Sequence, residues 1–398
     1  MEKQLLIRRV SGGALLLAAL CCPVALRLHA ARHAKTRVMG LDRVIAFTYS
    51  GAQGFDSKKL HSVTFVGPLN SGDWKYWQSR GVVAGVGHTW FDLLRSPVDK
   101  AVKLLAEQDF GGNPRPTVMI DEFGFDFGGQ MDQKSAAILR QTKLKRPDLA
   151  LTVFQMRGPV PQVLAETYRD VADLVMMECY VSEVRQYWFI ATQVWAARKY
   201  GILPKTIIIL GLGNSGNPGV SWADTKEKIE QQIRFVRLIA PESPGVGFFG
   251  GTLKLDIDAD NLCSHFFHYP TNGAGLPDDV RALARTFSRR YEKPTLVVSP
   301  VLVQPNYNEN GSGDLVEPKT MRAYIINLGD QDAQNVRVRL RNPDKLGGNV
   351  FAEGVVPLIA KHSEAIGVLP VIDQWRVWVG QWIIELDAPG CEVISYGP

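Results

Sequence analysis

The chain has 398 residues, enough for one large domain and a smaller one. Apolar residues make up 45% and charged residues 21%, which excludes a disordered chain and a multi-span membrane protein. The formal charge of +5 is local: Lys3, Arg8, Arg9, Arg27, Arg32, Lys35 and Arg37 stand against Glu2 near the N-terminus, and the rest is left near −1, so no basic footprint for nucleic acid survives.

In chain order, residues 1–37 read as a signal peptide or N-terminal anchor. The basic "MEKQLLIRR" precedes the apolar "VSGGALLLAALCCPVAL", the order a secretory signal has. The apolar run is broken by Pro23 and is shorter than the roughly 20 residues that a spanning helix needs. A secreted or periplasmic protein is expected, with attachment to the membrane through an uncleaved N-terminus as the alternative. Beyond this segment only Cys179, Cys263 and Cys391 remain, widely spaced and without a CxxC, so neither a disulfide framework nor a metal site is expected.

Residues 38–293 repeat one pattern, an apolar β-rich run followed by an amphipathic helical stretch. The runs are "VIAFTYS" (44–50), "SVTFVG" (62–67), "GVVAGVG" (81–87), "TVMIDE" (117–122), "LALTVFQ" (149–155), "DLVMMECY" (173–180), "TIIILGLG" (206–213) and "GVGFFGG" (245–251). Helices are expected over Pro97–Gln108, Gln133–Lys145, Pro161–Val171, Tyr187–Tyr200 and Trp222–Ala240. The runs are apolar on both faces, as buried parallel strands must be. Eight such units predict an α/β fold of the (β/α)8 TIM-barrel class. The competing open doubly wound sheet lacks its GxGxxG, because the first strand is followed by "SGAQGFD". From Pro294 the helix period disappears, and short alternating runs such as "TMRAYIINLGD" and "NVRVRLRN" predict a β-sandwich over residues 294–398. Trp375, Trp378 and Trp382 in that region could form a sugar platform, but the alternation turns some of them inward and they are read mainly as core.

Catalytic groups of such barrels come from the C-terminal strand ends. Acids gather at two of them: Asp121 and Glu122 close the fourth run, and Glu178 stands inside the otherwise apolar sixth. Ionised carboxylates buried there without partners would be costly, so paired or catalytic use is the economical explanation. Two carboxylates across a sugar-sized gap are the working parts of glycoside hydrolysis. Tyr49, His88, Trp90, Gln155, Tyr180 and Asn214 lie at strand ends where a carbohydrate could be bound. Because strand side chains alternate, one of Asp121 and Glu122 is expected to face the mouth directly, and Asp121 is taken as that residue. Glu178, with Met176, Met177 and Tyr180 around it, is expected in a dry setting suited to general acid work. "DIDADN" (256–261) has the aspartate spacing of a calcium loop but carries Phe267 where that loop needs a glutamate, and reads as a helix N-cap region.

"VMIDEFG" at strand four and "ADLVMMECY" at strand six together resemble the spherulin-like and endo-α-1,4-polygalactosaminidase-like barrel hydrolases. The resemblance covers about residues 40–270 and implies a TIM-barrel glycoside hydrolase without cofactor, with Asp121, Glu122 and Glu178 as its acids. Strand five ends in "TVFQMRG" instead of that pattern's Asn-Pro-Gly turn, and the C-terminal sandwich is additional. A second resemblance, to chitinase-like barrels, rests on "VMMECY"; the DxxDxDxE series those barrels carry on strand four is absent from "TVMIDEFGFD". The function expected is hydrolysis of a poly- or oligosaccharide. The alternative is a non-catalytic carbohydrate-binding or scaffold protein on a degenerate barrel.

Overall fold

The structure is a computed structural model and describes residues 38–48, 62–69, 74–89, 93–124, 127–156, 158–212, 223–250, 259–305, 319–372 and 382–397. Residues 1–37, expected to be a signal peptide or N-terminal anchor, lie outside them. Among the described residues no helix is long and apolar enough to cross a membrane.

Eight parallel strands, β1 (Val44–Thr48), β2 (Phe65–Leu69), β3 (Val83–Thr89), β4 (Thr117–Phe123), β5 (Ala150–Gln155), β6 (Leu174–Cys179), β7 (Thr206–Leu212) and β8 (Gly245–Gly250), close into a barrel in chain order. The described helices are α1 (Trp74–Gln78), α2 (Val98–Ala106), α3 (Gln130–Lys145), α4 (Gln162–Val171), α5 (Tyr187–Lys199), α6 (Lys226–Ile239), α7 (Ala259–Ser264) and α8 (Asp278–Thr286). The TIM-barrel expectation is met. The strands sort their side chains by parity. Val118, Ile120, Leu151, Val153, Val175, Met177, Ile208 and Leu210 join the helices in one outer cluster. Met119, Phe154, Leu174, Met176, Ile207 and Ile209 fill the interior as another.

That interior is packed, and glycines make the room. A Cβ on Gly67 would stand 2.8 Å from Met119 Sδ, and one on Gly85 would stand 3.1 Å from both Met119 Cβ and Phe65 Cζ. A Cβ on Gly247 would stand 2.4 Å from Ile209 Cδ1 and 2.9 Å from Ala46 Cβ. Large and small residues therefore alternate between facing strands, which keeps the barrel a core and not a pore.

Beyond the barrel the described regular elements are strands and short 3₁₀ turns. The strands are β9 (Thr295–Val298), β10 (Val303–Pro305), β11 (Thr320–Asn327), β12 (Ala333–Arg341), β13 (Val350–Ile359), β14 (Ser363–Pro370), β15 (Ile383–Asp387) and β16 (Glu392–Ser395). One sheet holds β9, β10, β11, β14 and β16, the other β12, β13 and β15. Their facing residues, among them Met321, Ile325, Val336, Val338, Phe351 and Trp382, form a sandwich core. Trp382 is buried and donates its indole N–H to Pro300 O at 3.2 Å, a core role; Trp375 and Trp378 lie outside the described residues.

The other face of the first sheet is joined to the barrel. Val297, Leu302, Tyr324, Ile326 and Leu328 belong to the same cluster as the barrel's outer residues. Tyr396 stacks on Trp188 of α5 at 5.1 Å between ring centroids. Glu364 of β14 is bonded by the Lys199 ammonium and the Tyr200 hydroxyl at the end of α5.

Two outcomes follow from this packing. Gly247→Ala should cost about 1–3 kcal/mol by overpacking, and Ile209→Val, which removes the clashing Cδ1, should recover part of it. Thermal unfolding of the two single variants and the double variant measures this; simple additivity would contradict the contact. The second concerns pH. Burial pushes the Glu364 carboxyl above its ordinary 4.5, and Lys199 offsets this only in part. The folded state thus holds this proton more tightly than the unfolded chain. The resulting stability is full below the ordinary value and is lost as pH rises through the raised one. Glu364→Gln cannot ionise, so its melting temperature should gain on wild type as pH rises from about 4 to about 7. A flat or falling difference in calorimetry would contradict this.

Candidate active site

Asp121 has the parity of Met119, and Glu178 has that of Met176, so both carboxylates belong to the interior side of their strands. Their heights follow from the register. The β4–β5 pairing passes from Ile120↔Val153 to Phe123↔Gln155, which sets both Asp121 and Glu122 opposite Phe154; Phe154 in turn pairs with Met176. Strands of such a barrel tilt, so residues at one height come from alternate strands, with a stagger of about one residue per strand. Two strands on from β4, the level of Asp121 is therefore that of Glu178 and not of Met176. Two further on, the register Glu178↔Ile209 and Ile209↔Gly247 leads by the same step to Phe249. Asp121, Glu178 and Phe249 thus form the top layer at the C-terminal mouth. Phe154 and Ile209 lie below them, and Met119 and Met176 below those. Asp121 is buried and Glu178 half-buried, so the layer opens unevenly, more widely beside β6.

The same register contains a bulge. Three steps along β4 match two along β5 between Ile120 and Phe123, so β4 carries an extra residue at Asp121–Glu122. The bulge shifts the parity beyond it: Phe123 packs in the outer cluster with Ile120, away from the mouth. The alternation expected along strand four is thus interrupted at Asp121–Glu122. The Glu122 side chain lies outside the described residues.

Tyr180, one residue past β6, stacks on Phe249 of β8 with ring centroids 5.0 Å apart and planes 30° apart. The strand between them is β7, whose Gly211 pairs with Phe249 and follows the Cys179↔Leu210 pair, so it sits beside Tyr180. Lacking a side chain, Gly211 lets the two rings meet across it. The dry wall expected around Glu178 is only half present, because Met177 points outward into the helix-facing cluster. The strand-six backbone is held from outside by Gln193 of α5, whose Nε2 donates to Glu178 O at 3.0 Å. Cys179, also outward, is fully buried, and burial pushes its thiol well up, with the Glu178 charge adding to the effect.

Two predicted substrate residues face away from the mouth. Gln155 follows inward Phe154 and points outward; it is fully buried, and Oε1 accepts from Tyr168 Oη of α4 at 2.7 Å. His88 follows Gly87 with the parity of Ala84 and Val86, both in the outer cluster, and its Nε2 meets Oε1 of Gln108 just after α2. Tyr49, Trp90 and Asn214 lie outside the described residues. Thr48, which the sequence reading passed over, ends β1 fully buried and donates to Phe248 O at 3.2 Å. Among the described residues no three metal-ligating side chains come together.

No family model matches the chain, and no curated protein is similar to it in sequence. Solved structures similar to it include a chitinase from Chromobacterium violaceum, at 12% identity and a TM-score of 0.41, covering 59% of this chain and 100% of that one. Active domain 2 of a thermostable chitinase from Pyrococcus furiosus matches at 12% identity and a TM-score of 0.42, covering 56% of this chain and 95% of that one. A glucosidase from Croceicoccus marinus matches at 14% identity and a TM-score of 0.34, covering 83% and 96% respectively. The likeness is one of barrel architecture.

Proposed function

We propose that the chain is a glycoside hydrolase that cleaves a poly- or oligosaccharide at the barrel mouth, with Asp121 and Glu178 as its acting pair. The observation that supports this is the placement of two inward carboxylates in one layer, over an apolar floor and beside a stacked Tyr180–Phe249 pair. Strands two apart stand about 10 Å from each other, so carboxyl groups that reach inward from them can approach the roughly 5–9.5 Å at which glycosidase pairs operate. Glu178, on the more open side, protonates the leaving glycosidic oxygen as its bond to the anomeric carbon breaks. Asp121, deeper, attacks that carbon or stabilises its positive charge while water adds. Glu122, on the bulge, orients the sugar or assists proton transfer. The exposed part of the aromatic pair offers a face for a sugar ring. The spherulin-like and polygalactosaminidase-like reading rests on these same three acids.

Reducing-end release from a polysaccharide panel tests the reaction. Glu178→Gln should lose about 10²–10⁴ in rate on natural substrate and regain part of it on an aryl glycoside, whose leaving group needs less protonation. Asp121→Asn should lose activity on both. Equal rescue of the two variants would overturn the roles, and wild type that binds oligosaccharide without cleaving it would overturn hydrolysis.

We also propose that residues 1–37 export the protein, because an apolar run behind a basic lead-in is what a translocon recognises. Cell fractionation should find the chain outside the cytoplasm, either free or held at the membrane by its N-terminus. Full-length soluble chain in the cytoplasm would overturn this.

A further inference from the structure

Among the described residues between β4 and α3 three have positive φ, and one of them carries a side chain. Gly124 and Gly128 have φ of 91° and 85°, and Phe127, which is not a glycine, has φ of 47°. A phenylalanine persists there only where its surroundings hold it. Phe127 is buried, and its ring edge lies 2.8 Å from where a Cβ on Gly158 would stand. Its ring meets Tyr324 of the sandwich at 5.5 Å between centroids, with the two planes tilted by 46°. Gly128 donates its N–H to Asp132 Oδ2 at 2.6 Å, and a Cβ on it would stand 3.6 Å from Ile366 Cδ1. Tyr324 and Ile366 are register partners across β11 and β14, so they form one pad under the turn. At the near end, the Gln155 amide that Tyr168 holds fills the space beside Gly124, where a Cβ would come within 1.6 Å of Nε2.

We infer that the C-terminal sandwich is a brace for the active-site bulge, with Tyr324 as its positioning residue acting through Phe127 on Asp121–Glu122. The sandwich is on this view part of the barrel's catalytic apparatus and not a detachable carbohydrate module. Its link to catalysis rests on the proposed hydrolase reading; its mechanical part does not.

Hydrogen exchange of the full chain separates the two. Ile325, the next residue, packs in the sandwich's own core and does not belong to the pad, so Ile325→Ala is the control for a merely weakened sandwich. At equal intervals below their melting temperatures, Tyr324→Ala should speed exchange at Asp121, Phe123, Phe127 and Gly128 by about tenfold or more, and Ile325→Ala by less than about twofold. Ile366→Ala, a smaller loss from the same pad, should reproduce the effect if Tyr324→Ala does not fold. In the kinetic arm, Tyr324→Ala should lower kcat by about tenfold with KM nearly unchanged, and Tyr324→Phe, which keeps the ring, should restore it. Equal loosening of the turn by the control, or no loosening by either pad variant, overturns the brace. A wild-type chain without glycosidase activity overturns the hydrolase reading and leaves the exchange result to decide the brace.

Discussion

Closing eight parallel strands leaves an interior only about four side chains wide at each level, and the layout of the site follows from that restriction. Met119, Phe154, Met176 and Ile209 occupy the space, and Gly67, Gly85 and Gly247 give way to them. The result is a solid apolar floor. A carboxylate one layer higher cannot sink into it and must stand at the mouth. The filled layers beneath Asp121 and Glu178 set the level at which the two acids stand.

Such a floor raises the cost of charge above it and also gives that charge its use. An acid pair set on apolar side chains interacts more strongly than one in water, and on the proposed hydrolase reading a sugar that displaces water there would strengthen the effect. The bulge in β4 adds a second acid to the same strand end without lengthening the strand on either side of it. Tyr180 and Phe249, meeting across Gly211, close the β6–β8 side with an aromatic surface. The fold thus combines acid groups with an aromatic face, the two features on which the proposed glycosidic chemistry rests.

The helices and the sandwich work from outside on the same strand ends. Gln193 holds strand six through the Glu178 carbonyl, and Tyr168 and Gln155 hold the turn after strand four. Tyr324 and Ile366 reach that turn from the second domain. A shared apolar cluster, the Trp188–Tyr396 stack and the Lys199–Glu364 pair make the junction continuous over a wide area. On the proposed brace, the two regions would act as one body where the strand-four turn is concerned.

The sequence by itself determined the strand–helix alternation, the eight-stranded closure it implies, the change of texture at Pro294, and the two strand ends that carry acids. These are local properties: apolar runs of strand length, turn residues, and charges where a buried run should have none. Which face of each strand points inward was decided only by the tertiary structure. Gln155 and His88 each follow an inward residue by one step and so face the helices, yet a strand apolar on both sides carries no mark of its inward phase. The extra residue at Asp121–Glu122 likewise appears only against the register of β5. The Tyr180–Phe249 pair needs a strand between them with nothing to offer, and the seating of Phe127 on Tyr324 joins positions nearly two hundred residues apart. Parity, register and distant contact are relations between strands, and they exist only once the barrel has closed.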